Sequence, residues 1–186
     1  MTGVQTWALP IFHAGQHVLI SGTILTARDA AHKRLIECID AKREADLPID
    51  LDGQILYYVG PTPPRPGAAI GSAGPTTASR MDPYAPKLIQ RGLRGMIGKG
   101  YRGQAVRDAL ASFGCVNFSA FGGLGALLSQ CVTAAEVIAY DDLGTEAIRR
   151  LTVIDMPVIV SYDTHGRSVY DDAADRYRRP TPGLSL

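Results

Sequence analysis

Strands and helices alternate along this chain. That predicts an α/β domain on a central sheet, mainly parallel or mixed, with flanking helices. Three observations carry the expectation. Apolar and β-branched runs of strand length recur between amphipathic stretches, Gly- or Pro-rich turns separate them, and no internal repeat interrupts the order. At 186 residues the chain is long enough for one well-cored domain and too short for two comfortable ones.

The elements follow in order. HVLISGTIL, from His17, reads as a strand, and ARDAAHKRLIECIDAKREAD, from Ala27, as a helix of several turns. ILYYV at 55–59 is a buried strand closed by the loop GPTPPRPG. After the Gly/Ser run IGSAGPTT, Asp82-Pro83 reads as a helix start, with Asp as N-cap and Pro at the first helical position. LRGMIGKG predicts a short strand and a glycine turn, QAVRDALASF an amphipathic helix, and CVNFSAF a strand. GGLGALLSQ is a glycine turn entering a helix, and AEVIAY is another strand. EAIRRLTV and PVIVSYD lead to a final apolar strand with the polar turn THG. Residues 1–14 carry the only Trp and no clear periodicity. GVQTWALPI resembles a translated sequencing adapter, so 1–14 are expected to be a non-native leader, the alternative being an ordinary N-terminal arm. The domain is then expected over 15–172 and a frayed tail over 173–186.

Composition excludes several function classes. Lys plus Arg number 19 and Asp plus Glu 18, so no broad basic field serves nucleic acid or an anionic membrane. Any anion site has to come from local placement of cations. No apolar run approaches the ~20 residues of a membrane span, and the first residues lack the pattern of a secretory signal. The three cysteines, Cys38, Cys115 and Cys131, are widely spaced and form neither a CxxC pair nor a zinc pattern. A reducing cytoplasm is the expected setting.

Cations stand in three telling places. At about 100° per residue, Arg28 and His32 share a helix face with Leu35, Ile36 and Ile39, while Asp29, Lys33, Glu37 and Asp40 spread over the other side. Arg28 is therefore expected in the first turn of the core-facing stripe, where a lone charge is costly and the helix dipole disfavours a cation. A bound carboxylate would resolve both penalties, and so would pairing with Asp29 or another internal acid. In GSAGPTTASRMDP, Gly71 and Gly74 let the backbone approach a ligand, Thr76 and Thr77 offer hydroxyls and amides, and Arg80 adds a fork of donors. A plain turn and cap would use the same residues. Lys99 in Gly98-Lys99-Gly100 presents an ammonium on bare backbone without the spacing of a phosphate loop. Each cation follows a strand, where open α/β sheets gather ligands, so together they read as an anion pocket.

The stretches ISGTILTARDAAHKR (20–34), LYYVGPTPPRPG (56–67), IGSAGPTTASRMDPYAPKLIQRGLRGMIGKG (70–100), FGGLGALL (121–128) and AEVIAYDDLGTEAIRRLTVIDMPVIVSYDTHG (135–166) resemble the β subunit, or fused C-terminal domain, of class I iron–sulfur fumarases and L-tartrate dehydratases. The combination of TARDAAH, GPTTASRM and MIGKG is highly specific. The resemblance implies a swivelling β/β/α-type domain that packs on a larger α subunit, in a hetero-oligomer such as α2β2. The α subunit would hold a [4Fe–4S] cluster, and the three cysteines here do not sit in its ligand motifs. Carried over motif by motif, Arg28, Thr77, Arg80 and Lys99 bind the carboxylates of a fumarate or malate substrate. Thr76 lies close to the reacting carbon and takes part in catalysis, and Lys99 also stabilises an enolate-like charge. Asp29, His32 and Gly74 are supporting residues, Asp29 and His32 in an orienting role or, as the alternative, a structural one. The motif wording favours reversible hydration of fumarate to L-malate over tartrate dehydration. A non-catalytic anion-binding module is the alternative from another class.

Overall fold

The computed structural model describes residues 12–171 and 173. Strand β1 (His17–Thr26) enters helix α1 (Asp29–Asp40), and β2 (Ile55–Tyr57) leads through a long loop to α2 (Ala85–Gln90). Then come β3 (Gly95–Gly98), α3 (Gln104–Phe113), β4 (Val116–Ser119) and α4 (Gly125–Gln130). Strands β5 (Val132–Ala139) and β6 (Ile148–Tyr162) complete the order. The α/β expectation holds and the sheet is mixed, but it also closes on itself.

The closure follows from β6. Strands β1, β2, β3 and β4 run parallel, with Leu25 beside Leu56, Leu56 beside Met96 and Met96 beside Asn117. The 15-residue β6 is long enough to pair antiparallel with both outer members, Phe118 facing Val160 and Ile24 facing Leu151. Five strands thus form a ring, and β5 hangs on β6 outside it. A ring this small needs bent strands. Here β1 slips register between Ile20 and Gly22, where Gly22 takes φ 123°. Across the pair Asp155 takes φ 50°, and its backbone N–H donates to Ser21 Oγ at 2.8 Å.

Strand periodicity then sorts the apolar residues into two cores. Ile24, Ile55, Tyr57, Ile97, Phe118, Val153 and Val160, drawn from all five ring strands, fill the interior. Leu25, Leu56 and Met96, their neighbours on the outer face, pack under Leu35, Leu88 and Leu110 of the helices. Such two-sided burial explains why ILYYV reads as a continuous apolar run.

Two local expectations are corrected. The helix from Ala27 stops at Asp40, and Glu44–Asp46 forms a separate 3₁₀ turn after Lys42 at φ 55°. Asp82 does not cap a helix: α2 begins at Ala85 behind Tyr84. The Asp82 carboxylate is taken instead by Arg102 and the Gly103 N–H, at 2.7 and 2.6 Å. The expected leader, 1–14, lies mostly outside the described residues. Of its last three, Phe12 meets Phe118 edge-on at 6.1 Å and the Ala14 N–H donates to Asp163. The tail from residue 174 onward also lies outside the described residues.

Candidate functional site

Because β1 to β4 are parallel, their carboxyl ends open at one mouth of the ring, and each carries a residue of interest. Arg28 follows β1 and is the N-cap of α1; Gly60 follows β2, Lys99 follows β3, and Gly122 follows β4. The segment Thr76–Ala78 is wedged among these ends as an extra extended piece. Its Thr76 N–H donates to Tyr58 O at 2.7 Å, while the Lys99 N–H donates to Thr76 O at 3.2 Å and the Ala78 N–H to Lys99 O at 2.8 Å. Thr77 and Lys99 are parallel bridge partners. A 3₁₀ turn, Ala78–Met81, then carries Arg80.

A missing side chain makes the wedge fit. A Cβ on Gly98 would stand 2.9 Å from Ala78 Cβ and 3.0 Å from Tyr58 Cδ2. Gly98→Ala is therefore expected to destabilise the domain by about 1–3 kcal/mol, as overpacking does. A lowered denaturant midpoint at unchanged slope is the check. Gly71 departs from its expected role, since its open side is filled by Thr62 and Pro63 rather than turned to a ligand. Gly74 is exposed and lies over Gly125 of α4, whose carbonyl accepts from the Ala73 N–H at 2.9 Å.

One carboxylate joins the two arginines. Asp29 Oδ1 accepts from Arg80 Nε at 2.8 Å, and Asp29 Oδ2 lies 3.6 Å from Arg28 Nη2. Glu146 completes the group, with Oε1 3.4 Å from Arg28 and Oε2 accepting from the Ala30 N–H at 2.8 Å. The anion slot at the start of α1 is thus filled by the protein's own Glu146. Arg28 is thus paired with internal acids, one of the two ways expected to relieve it. Arg80 is half-exposed, and only its Nε is engaged by Asp29. Lys99 is exposed and lies along Gly122, without a carboxylate partner among the described residues. Thr76 is partly buried and Thr77 exposed.

His32 sits one turn below Arg28, fully buried, with Nδ1 donating to Arg28 O at 2.8 Å. Burial is the main cause that brings its pKa down to about 4, so the ring is neutral. It meets Tyr58 edge-on at 5.2 Å and faces the core, not the mouth. Its touch on the site is through the Arg28 backbone.

The sequence reading missed Glu146, Asp82 as an acceptor, and Arg102, whose side chain has no exposed surface. Arg102 sits in a Gly-flanked turn, Gly100-Tyr101-Arg102-Gly103, of a kind that is ordinarily solvated. Glu146 is 116 residues from the amide it accepts from. Neither has a local signature.

Among the described residues, no group of three His, Cys, Asp or Glu side chains could hold a metal ion. Cys38 lies in α1, Cys115 just before β4 and Cys131 just after α4, and burial pushes the Cys115 thiol up to about 12. These residues do not fit an iron–sulfur cluster. No helix among them is long and apolar enough to cross a membrane. A cavity of about 580 Å³, lined by Asp40, Lys87 and Arg91, lies at the far end of α1 from Arg28 and takes no part in this arrangement.

Residues 4–173 match the family described as Fumarase C-terminus. The anaerobic class I fumarate hydratase of Escherichia coli K12 is 38% identical over 159 residues, covering 84% of this chain and 29% of that protein. The aerobic class I enzyme of Salmonella typhimurium is 39% identical over 153 residues, covering 81% and 26%. A Methanocaldococcus jannaschii protein, provisionally named L(+)-tartrate dehydratase subunit beta, is 34% identical over 164 residues, covering 85% of this chain and 83% of its own length. The chain thus spans about three-tenths of the fumarate hydratases it matches.

Proposed function

Since the chain belongs to the fumarase C-terminus family, we propose that it is the small subunit of a hydro-lyase that interconverts fumarate and L-malate. Its substrate site is shared with a larger α subunit that carries a [4Fe–4S] cluster. The observation that carries this reading is the wedge itself. Thr76, Thr77 and Lys99 are hydrogen-bonded side by side at the mouth, with Arg80 one turn on and tied through Asp29 to Arg28. Guanidinium and ammonium groups from separate loops suit the two carboxylates of a C4 diacid, Arg80 as a fork and Lys99 as a point charge. A threonine hydroxyl is too weak a base alone, so Thr76 exchanges a proton only with help from a neighbouring cation or a partner residue. Lys99, in the same ladder, stabilises negative charge developing on the substrate.

Shared construction is supported by the rim and by the relatives. Tyr101, Phe121, Leu124 and Leu127 are exposed apolar residues in the segments that carry or adjoin Lys99 and Gly122. The similar proteins divide into long fumarate hydratases and a subunit of nearly this chain's length. That subunit's name keeps tartrate as the second substrate, while the identities of 38% and 39% with fumarate hydratases favour fumarate. The chain is expected to be inactive alone and, mixed with its α partner, to hydrate fumarate, measured as loss of fumarate absorbance and gain of L-malate. Activity on a tartrate enantiomer alone overturns the substrate. Carboxylate binding without turnover by the assembled pair makes the chain a binding module instead.

A further inference from the structure

We propose that Asp82 and Arg102 are positioning residues: an ion pair, its guanidinium buried and its carboxylate partly exposed, that fixes the Arg80 turn against the Lys99 turn and so sets the spacing of the two cations. The proposal rests on the dicarboxylate reading above and names residues that reading does not include.

The Arg102 side chain has no exposed surface, a costly position for a guanidinium unless it is held on several sides. Its Nε donates to Asp82 Oδ1 at 2.7 Å and its Nη1 to Asn117 Oδ1 at 2.7 Å. Asn117 is itself tied to Ser161 of β6 at 2.8 Å. The Arg102 backbone N–H donates to Tyr162 Oη at 2.9 Å, and the Gly103 N–H to Asp82 Oδ2 at 2.6 Å. Each of these bonds starts or ends in the turn that begins at Lys99, or secures its partner. Asp82 directly follows the turn that carries Arg80.

Two clamps therefore join the same two segments. In front, the backbones of Thr76 and Ala78 pair with Lys99; behind, both oxygens of Asp82 hold Arg102 and Gly103. Arg80 lies between the clamps, and Lys99 is itself the front clamp's partner. A single clamp leaves the two turns free to pivot, whereas two fix their relation. Apolar side chains fill buried space without desolvating a charge, so a buried guanidinium here points to fixed geometry rather than to stability alone.

The test uses the full chain as wild type, Asp82→Asn and Arg102→Met, followed by amide hydrogen exchange. Cutting the rear clamp is expected to speed exchange at the front, at the amides of Ala78 and Lys99, at least tenfold, while the β1–β6 ladder keeps its protection. Faster exchange at Gly103 alone, no change at the front, or a uniform loss through the ladder overturns the proposal. A second readout moves only if positioning matters for binding. Malonate, titrated below each variant's melting transition, is expected to slow the same front amides with a midpoint at least tenfold higher in both variants than in wild type. An unchanged midpoint overturns the proposal as well. Failure of the underlying reading looks different. In that case malonate has no effect on the wild type, or its effect survives Arg80→Ala and Lys99→Ala, while the exchange coupling between the clamps is still decided by the first measurement.

Discussion

Arg80→Ala is expected to lower kcat/KM of the assembled enzyme roughly 30- to 1,000-fold, about 2–4 kcal/mol for a charge-assisted bidentate contact. The geometry gives the reason. Arg80 rests its Nε on Asp29 at 2.8 Å, which orients the guanidinium without using the two Nη groups, and the side chain is half-exposed at the mouth. Those Nη groups form the fork that a planar carboxylate takes. The variant also leaves Asp29 with Arg28 as its remaining cation, at 3.6 Å, so part of the loss reflects a shifted Arg28. Arg80→Lys keeps the charge and is expected to recover only part of the loss, since an ammonium cannot both hold Asp29 and grip a second carboxylate in plane. Steady-state kinetics on L-malate and fumarate make the comparison. An unchanged kcat/KM removes Arg80 from the site.

The second large effect is acid destabilisation through His32. Its ring is neutral in the fold because burial brings the pKa from 6.5 to about 4. The unfolded chain therefore binds more protons than the folded one between those values, and stability rises with pH across that window. The contribution is fully present above pH 6.5 and is lost as pH falls towards 4, about 3 kcal/mol in all. Protonation would also place a charge near the buried Arg102 guanidinium, which further disfavours it. Urea midpoints at pH 7, 5.5 and 4.5 follow the loss. In His32→Gln the slope over this interval is expected to flatten. A variant with the wild-type slope shows that other groups carry the acid sensitivity.

What could be read from the linear chain was what periodicity encodes. β1 began at His17 as expected, α3 spans QAVRDALASF, and the α1 stripe of His32, Leu35, Ile36 and Ile39 is buried. What could not be read was pairing at a distance. Nothing in residues 17–25 announces that they will lie antiparallel to 150–159, so the closed ring stayed hidden behind a correct mixed sheet. Asp82-Pro83 carries sound capping chemistry, yet a buried guanidinium 20 residues on outcompetes a helix terminus for the carboxylate. Arg28 was legible as a cation needing an anion, with an internal acid such as Asp29 the better answer for Arg28 alone and a bound guest the better one for the three cations together. Glu146, whose capping bond to Ala30 spans 116 positions, had no way to enter that comparison.

The ring has one further consequence. Its five strands are bonded edge to edge all the way round, so there is no seam along which one loop-bearing strand could slide past the next. Shearing any neighbouring pair would break a row of main-chain bonds at once. The Arg28 and Lys99 ends consequently behave as fittings on one stiff collar, to which the Thr76 segment is bonded. A guest seated among them meets fixed spacing, and a partner that approaches or withdraws from this face must displace the whole body, not one finger of it.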